Sequence, residues 1–342
     1  MPLLSRPGIC YTLCMPFAVL LGPDDEGRRL DRIMRKLLPQ LPLSAIHRLL
    51  RQGLVRLGGK RAQASSRVHG GELLELHVDL SPQDRPAPRE RGPEKSSLPP
   101  RGIPNPQILW EASGLLILNK PPGILVHGAN SLDSWVQWYL SSKEALSPVF
   151  RSGPLHRLDR GTSGLIAFST SLEGAQRFSE ALRERRIHKR YLAILDGSIG
   201  GQEEWEDTLE RDRNLKISRL GSTTGKRAYT RLWPLANNSK ATLALLQIDT
   251  GRTHQIRVQA AAHGYPLLGD RKYGGSAFPG GPFLHAYEME IPSRLIAQET
   301  IKLRAPVPQL FLREIESLFG EKISRMMVNT PPTDRWVGDI IE

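Results

Sequence analysis

Apolar residues recur at helical spacing in two short stretches near the front of the chain. These are Leu30, Ile33, Met34, Leu37 and Leu38, then Ile46, Leu49 and Leu50 after Ser44. Gly53-Leu-Val-Arg-Leu-Gly-Gly59 reads as a helix stop, a short strand and a turn, and Glu72-Leu-Leu-Glu-Leu-His-Val78 alternates as a strand does. Ahead of them, the apolar run Met15–Leu21 reads as a leader plus a first strand. Acidic Asp24-Asp25-Glu26 follows it, where a signal peptide would carry a small-residue cleavage site. Farther on, Ile108-Leu-Trp110 and Leu115–Leu118 predict two strands across a Glu-Ala-Ser-Gly turn. Ser131–Leu140 predicts a helix with Trp135, Trp138 and Tyr139 used for packing. Thr170 and Glu173 have capping-box spacing before a stripe of Leu172, Ala175, Phe178 and Leu182. Arg183, Arg185 and Arg186 end that helix where cations suit its dipole, and Leu192–Leu195 predicts the next strand.

Between these patterned regions lies SPQDRPAPRERGPEKSSLPPRGIP, whose prolines and alternating charges exclude a core. The chain of 342 residues therefore divides into a leader and first strand (1–25), a compact basic module (26–80), a linker (81–104), a larger domain (105–320) and a C-terminal tail (321–342). A formal net charge of +12 points to a polyanionic partner. No apolar stretch approaches the roughly 20 residues of a spanning helix. The two cysteines, Cys10 and Cys14, have neither Cys-x-x-Cys spacing nor a second pair, which fits free thiols in a reducing cytoplasm.

The run with most chemical content is Pro154-Leu-His-Arg-Leu-Asp-Arg-Gly-Thr-Ser-Gly-Leu165. It sets one carboxylate, Asp159, between Arg157 and Arg160, just before a turn into the apolar run Leu165–Phe168. By spacing alone a solvated ion pair and a catalytic acid are about equally good readings. His156–Arg160 with Thr162–Leu165 resembles the signature of the RluA-type pseudouridine synthases. The resemblance runs from about Ile108 to Phe311 and includes Asn119-Lys-Pro-Pro-Gly123, Thr250-Gly-Arg-Thr-His-Gln-Ile-Arg257, Leu268–Gly275 and Leu284-His-Ala286. Gln259 stands where that family often has histidine, and Gly161 where it often has an acid.

That resemblance implies Asp159 as the catalytic residue, Tyr191 packing against the target base, and Arg257 as ion-pair partner of Asp159. It also implies that Arg157 takes the place of an extruded nucleotide, and it puts Lys120 within reach of RNA. In the front module, Arg29-Leu-Asp31, Arg48, Gly53, Val55 and Gly58-Gly59 resemble an S4 RNA-binding domain. Such a module reads shape and phosphates, which makes Arg28, Arg29, Arg48, Arg51 and Lys60 the expected RNA contacts. The expected fold class is α+β: a catalytic domain with a mixed, mostly antiparallel sheet and a central cleft, preceded by a small α/β S4 domain. The Asp159 loop is expected on the cleft floor, with Arg257 approaching from another strand.

The implied reaction is isomerisation of uridine to pseudouridine in RNA by a cytoplasmic monomer, without cofactor or metal. Large-subunit ribosomal RNA (23S-type) is the expected substrate and transfer RNA the alternative. A catalytically silent ribosome-assembly factor is the other reading. A Ser163–His254–Asp triad is disfavoured because the Gly-x-Ser-x-Gly elbow is lacking. No glycine-rich loop ends in Gly-Lys-Ser/Thr, and His127, His156, His254, His263 and His285 show no metalloenzyme spacing.

Overall fold

The computed structural model describes residues 17–77, 99–141, 143, 147, 149–212, 217–221, 225–293 and 299–329. Cys10, Cys14, most of the expected linker and the tail beyond 329 lie outside the described residues. Two compact units emerge, one from the chain up to residue 97 with 138–151, the other from 98–137 with 152–342.

In the first unit β1 (Phe17–Leu20), α1 (Leu30–Leu37), α2 (Leu43–Gln52), β2 (Val55–Leu57), β3 (Lys60–Arg61) and β4 (Leu73–Leu76) follow in order. The strands form an antiparallel sheet in the order β1-β4-β2-β3. The helical spacing read from the sequence works as expected, because Leu30, Ile33, Met34 and Ile46 face Val55, Leu74 and Leu76 in one core. Gly53 ends α2 in the left-handed region (φ +72°), donating its N–H back to the last turn. Residues 138–151 add to this unit: Val149 packs on the core, and the Ser147 hydroxyl donates to the buried Asp25 carboxylate at 2.8 Å.

The second unit carries a ten-stranded mixed sheet among the described residues. Its strands are β5 (Gln107–Ala112), β6 (Leu115–Lys120), β7 (Ser163–Ser169), β8 (His188–Asp196), β9 (Glu203–Asp212), β10 (Ile217–Leu220), β11 (Lys226–Asn237), β12 (Ala241–Ile248), β13 (Leu284–Ile291) and β14 (Ile301–Arg304). Their order is β10-β9-β11-β12-β8-β13-β7-β6-β5, with β14 beside the far end of β13. Every pairing is antiparallel except β13 with β7, a two-residue parallel contact of His285 with Ser163 and Ala286 with Gly164. β7 and β12 are buried at every position, which is why they read as continuous apolar runs and not as alternation. Gly164 allows the parallel join: at φ +103°, an added Cβ would meet the Ala286 carbonyl oxygen at 2.2 Å.

Helices α3 (Leu132–Ser141), α4 (Leu172–Arg183), α5 (Gln255–Ala262), α6 (Gln309–Phe319) and α7 (Glu321–Asn329) follow, with short 3-10 turns at Pro23–Asp25 and Arg271–Tyr273. The cap of α4 is Ser171, one residue later than the spacing implied. Its hydroxyl accepts the Gly174 N–H at 3.0 Å, and its backbone is extended (φ −136°, ψ 161°) as a cap residue requires. Glu173 closes no capping box and pairs with Arg177. Residues 321–329, expected as tail, form α7 with Met327 buried beside Phe311 and Ile315 against β8 and β12. No described helix is long and apolar enough to cross a membrane.

Candidate active site

Asp159 sits in the turn that delivers the chain into β7, with the Thr162 N–H donating to its carbonyl at 3.1 Å and Leu158 buried beside it. The loop is anchored from below by Lys120, the last residue of β6. Lys120 is fully buried, and its ammonium donates to the carbonyls of Pro121 (3.0 Å), Arg160 (3.1 Å) and Thr162 (2.7 Å). All three ammonium hydrogens are thereby used. This corrects the expected RNA contact: no donor remains for a phosphate, and a strand end beneath the loop is out of reach of one. Burial pushes Lys120 down to about 7, against the attraction of the Asp159 carboxylate.

Arg257 approaches Asp159 from the first turn of α5, not from a strand as expected. Its Nη1 donates to Asp159 Oδ2 at 3.1 Å, across 98 residues of sequence. The other edge of the guanidinium grips Asp270, Nε to Oδ2 at 2.6 Å and Nη2 to Oδ1 at 2.7 Å. This is a planar two-point pairing that lysine could not reproduce. Burial opposes the Arg257 charge, but the Asp270 bonds outweigh it and hold the guanidinium more firmly protonated than usual.

A second group faces Asp159 from the residue capping α5. His254 adopts the left-handed region (φ +56°), and its Nε2 lies 3.7 Å from Asp159 Oδ1. The Tyr273 hydroxyl accepts the Ser218 N–H at 3.0 Å and lies 2.7 Å from His254 Nδ1, so its own hydrogen is free to be donated there. That assignment leaves the His254 hydrogen on Nε2, toward the carboxylate. Burial lowers the His254 pKa, partly offset by Asp159. The loop before it is latched by Gln255, which accepts from the Thr250 hydroxyl (2.7 Å) and the Arg252 N–H (3.1 Å).

Tyr191 lies on β8, 6% exposed, with its hydroxyl pushed up first by burial and then by the nearby Asp159 charge. Asp159, Tyr191, Arg257 and His254 share one cleft of about 440 Å³, with Ile248 and Leu284 as apolar walls. Exposed Arg157 also lines it. Arg160 turns away, donating through Nε to the Gly123 carbonyl at 2.9 Å. Ser163 pairs with His285 Nδ1 at 2.8 Å, and His285 Nε2 faces the Ala305 carbonyl, so no Ser163–His254 triad forms. Gln259, the departure from histidine, is fully used: it accepts from the Thr230 hydroxyl and donates to Trp205 O and Asp207 Oδ2. At Gly161 a Cβ would crowd the Pro282 ring at 3.0 Å.

In the first unit, Arg48, Arg51 and Lys60 are exposed. Arg28 and Arg29 are engaged by carboxylates, Arg28 with Asp25 at 3.0 Å and Arg29 two-pronged with Asp31 at 3.1 and 2.7 Å. Arg29 and Arg51 line a hollow of about 590 Å³ with His47 and Arg61. Neither His47 nor Arg61 was singled out by sequence, although each sits in a basic run that could have flagged it. Asp270 and Tyr273 were likewise missed, and the signal for them was the Leu268–Gly275 block that contains both.

Comparison with known proteins supplies three findings. Residues 114–262 match the family described as RNA pseudouridylate synthase, and residues 28–74 match the S4 domain. Ribosomal large subunit pseudouridine synthase D of Xylella fastidiosa is 32% identical over 328 residues, covering 86% of this chain and 92% of that protein. Ribosomal large subunit pseudouridine synthase C of Pasteurella multocida is 30% identical, covering 89% of this chain and 94% of its own length. Among solved structures, human RNA pseudouridylate synthase domain containing 1 superposes with a TM-score of 0.52 at 24% identity, over 69% of this chain and all of that one. At that identity the likeness concerns the fold.

Proposed function

The chain belongs to the RNA pseudouridylate synthase family, and from that premise we propose that it isomerises uridines of large-subunit ribosomal RNA through Asp159. The observation that carries this reading is the Asp159 carboxylate, held by Arg257 from 98 residues away and opening into a cleft shared with Tyr191. The S4 match and the two relatives named for the ribosomal large subunit, each aligned over most of its length, support the choice of RNA.

The target uridine must leave its stack, at a cost of a few kcal/mol, and exposed Arg157 at the cleft is available to fill the gap. Asp159 then acts on the ribose, as a nucleophile at C1′ or as a base on the sugar. The N1–C1′ bond breaks, the uracil turns, and a C5–C1′ bond forms. The C5 hydrogen leaves to solvent and N1 gains a proton, so the product is an isomer. The Tyr191 ring braces the base, and Arg257 fixes the direction of the Asp159 carboxylate. Phosphates of folded RNA lie against Arg48, Arg51 and Lys60, with Arg29, His47 and Arg61 around the neighbouring hollow. A ribosomal RNA substrate puts this work in the cytoplasm, carried out by a monomer.

The test is release of tritium from RNA labelled at C5 of uridine. Wild-type protein releases it, and Asp159→Asn does not, while the RNA affinity of the variant stays within about threefold. An active Asp159→Asn protein refutes the role of Asp159. Binding without release by the wild type supports the assembly-factor reading instead. Mapping pseudouridines in cells with and without the protein separates ribosomal from transfer RNA.

A further inference from the structure

Lys189 is a buried cleft residue whose chemistry the proposed reaction leaves unused. It lies on β8, two residues before Tyr191, so both side chains leave the same face of the strand and line the same cleft. Arg190 between them goes to the opposite face, where Nη1 pairs with Glu288 at 2.9 Å. Lys189 is 8% exposed, and its ammonium has neither hydrogen bond nor ion pair among the described residues. The other buried cations here are satisfied, Arg257 by two carboxylates and Lys120 by three carbonyls.

Burying a charge with no partner is costly, and such groups are normally paired. The surroundings register that cost: burial pushes Lys189 down to about 8, and the Lys189 charge in turn disfavours protonation of neighbouring His156, after the larger effect of burial. Space for a ligand is provided by the cleft of about 440 Å³ that Lys189 and Gly251 both line. Gly251 faces the ammonium, and a Cβ added there would lie 3.7 Å from Nζ, so only backbone stands in that approach.

We propose that Lys189 is a substrate-contact residue whose ammonium receives a backbone phosphate of the target nucleotide, a role that rests on the RNA-modifying reading above. A phosphate fits better than a uracil carbonyl because a desolvated cation gains most from a full negative charge. The position agrees: along a strand, two residues span about 6.7 Å, a step comparable with that from a base braced at Tyr191 to its own phosphate.

The test measures affinity for a large-subunit ribosomal RNA transcript between 50 and 200 mM salt, together with melting temperature, for full-length wild type, Lys189→Met and Lys189→Arg. Lys189→Met is expected to weaken binding about ten- to hundredfold, the loss of one charge-assisted hydrogen bond. It should also flatten the slope of log affinity against log salt by ~0.7, the contribution of one single-strand phosphate contact. Lacking the unpaired charge, the free variant should melt a few degrees higher. Lys189→Arg should restore the slope.

Weaker binding with an unchanged slope would assign Lys189 to a neutral group and overturn the phosphate contact. Unchanged affinity and slope, or a lower melting temperature in Lys189→Met, would overturn the proposal altogether. Tritium release by the wild type, measured in parallel, keeps this outcome distinct from failure of the family-based reading.

Discussion

Asp270 never touches the cleft, yet it holds the residue that holds Asp159. It is 1% exposed and accepts two short hydrogen bonds from Arg257, at 2.6 and 2.7 Å. Asp270→Asn keeps the shape but removes the charge, and it turns one acceptor into an N–H₂ facing a guanidinium N–H. One charge-assisted bond is lost, at about 1.5–3 kcal/mol, and a donor now opposes a donor. The expected fall in unfolding free energy is therefore about 3 kcal/mol. The catalytic effect comes through position. Arg257 meets Asp159 with a single bond of 3.1 Å, so a guanidinium released on one edge lets the carboxylate shift. A displacement of about 1 Å costs on the order of a hundredfold in rate, or about 2.7 kcal/mol of activation free energy. Because Asp270 does not line the cleft, KM should stay within about threefold. Single-turnover tritium release over a range of RNA concentrations separates the two constants. If kcat survives while stability falls, Asp270 is a structural anchor only and the positioning argument is wrong.

Three further outcomes follow from the same geometry. Lys120→Met strips three carbonyls of their donor, so it should lower stability by about 3 kcal/mol and depress kcat more than RNA affinity; urea unfolding and tritium release check this, and a more stable variant would contradict it. His285 is fully buried and its pKa is pushed down to about 4 by burial. Its folded value lies below the unfolded 6.5, so stability is full above pH 6.5 and falls by about 3 kcal/mol as pH drops toward 4. His285→Gln should flatten that slope in urea unfolding at pH 7 and 4.5, and parallel slopes would exclude His285 as its source. Gly164→Ala should cost at least about 3 kcal/mol, because its Cβ would sit 2.2 Å from the Ala286 carbonyl, and an unchanged melting temperature would contradict that clash.

Much of this arrangement was legible residue by residue. The apolar spacing of Leu30, Ile33 and Met34 packs as read, and the motifs singled out Asp159, Tyr191 and Arg257, which the fold brings into one cleft. What escaped did so for physical reasons. Helix α5 carries buried Gln255, Arg257 and Gln259, so polar and apolar residues alike point inward and the helical period of hydrophobicity is absent. Lys120 beside two prolines looks like exposed loop, and only the return of residues 160–162 over the end of β6 makes it an internal donor. Asp270, Tyr273 and Ser218 act through partners far away in sequence, which no local pattern encodes. Residues 138–151 are interrupted by no composition change that would mark their packing with the first unit.

The two-residue parallel join of β7 to β13 has a consequence in time. It ties Ser163 to His285 across 122 residues, and on either side of it the sheet is built from neighbours joined antiparallel. Pairings so distant in sequence are the slow ones, since the intervening chain must be ordered before they are rewarded. The Asp159 turn feeds directly into β7, so its cleft is completed only when that seam closes. A polypeptide still emerging from the ribosome, with residue 285 not yet translated, would carry the whole Asp159 motif and yet have no β13 to set it against. On this topology the Asp159 cleft is completed only once β13, near the last sixth of the 342 residues, has been made, and a chain cut short before residue 284 is expected to be inert.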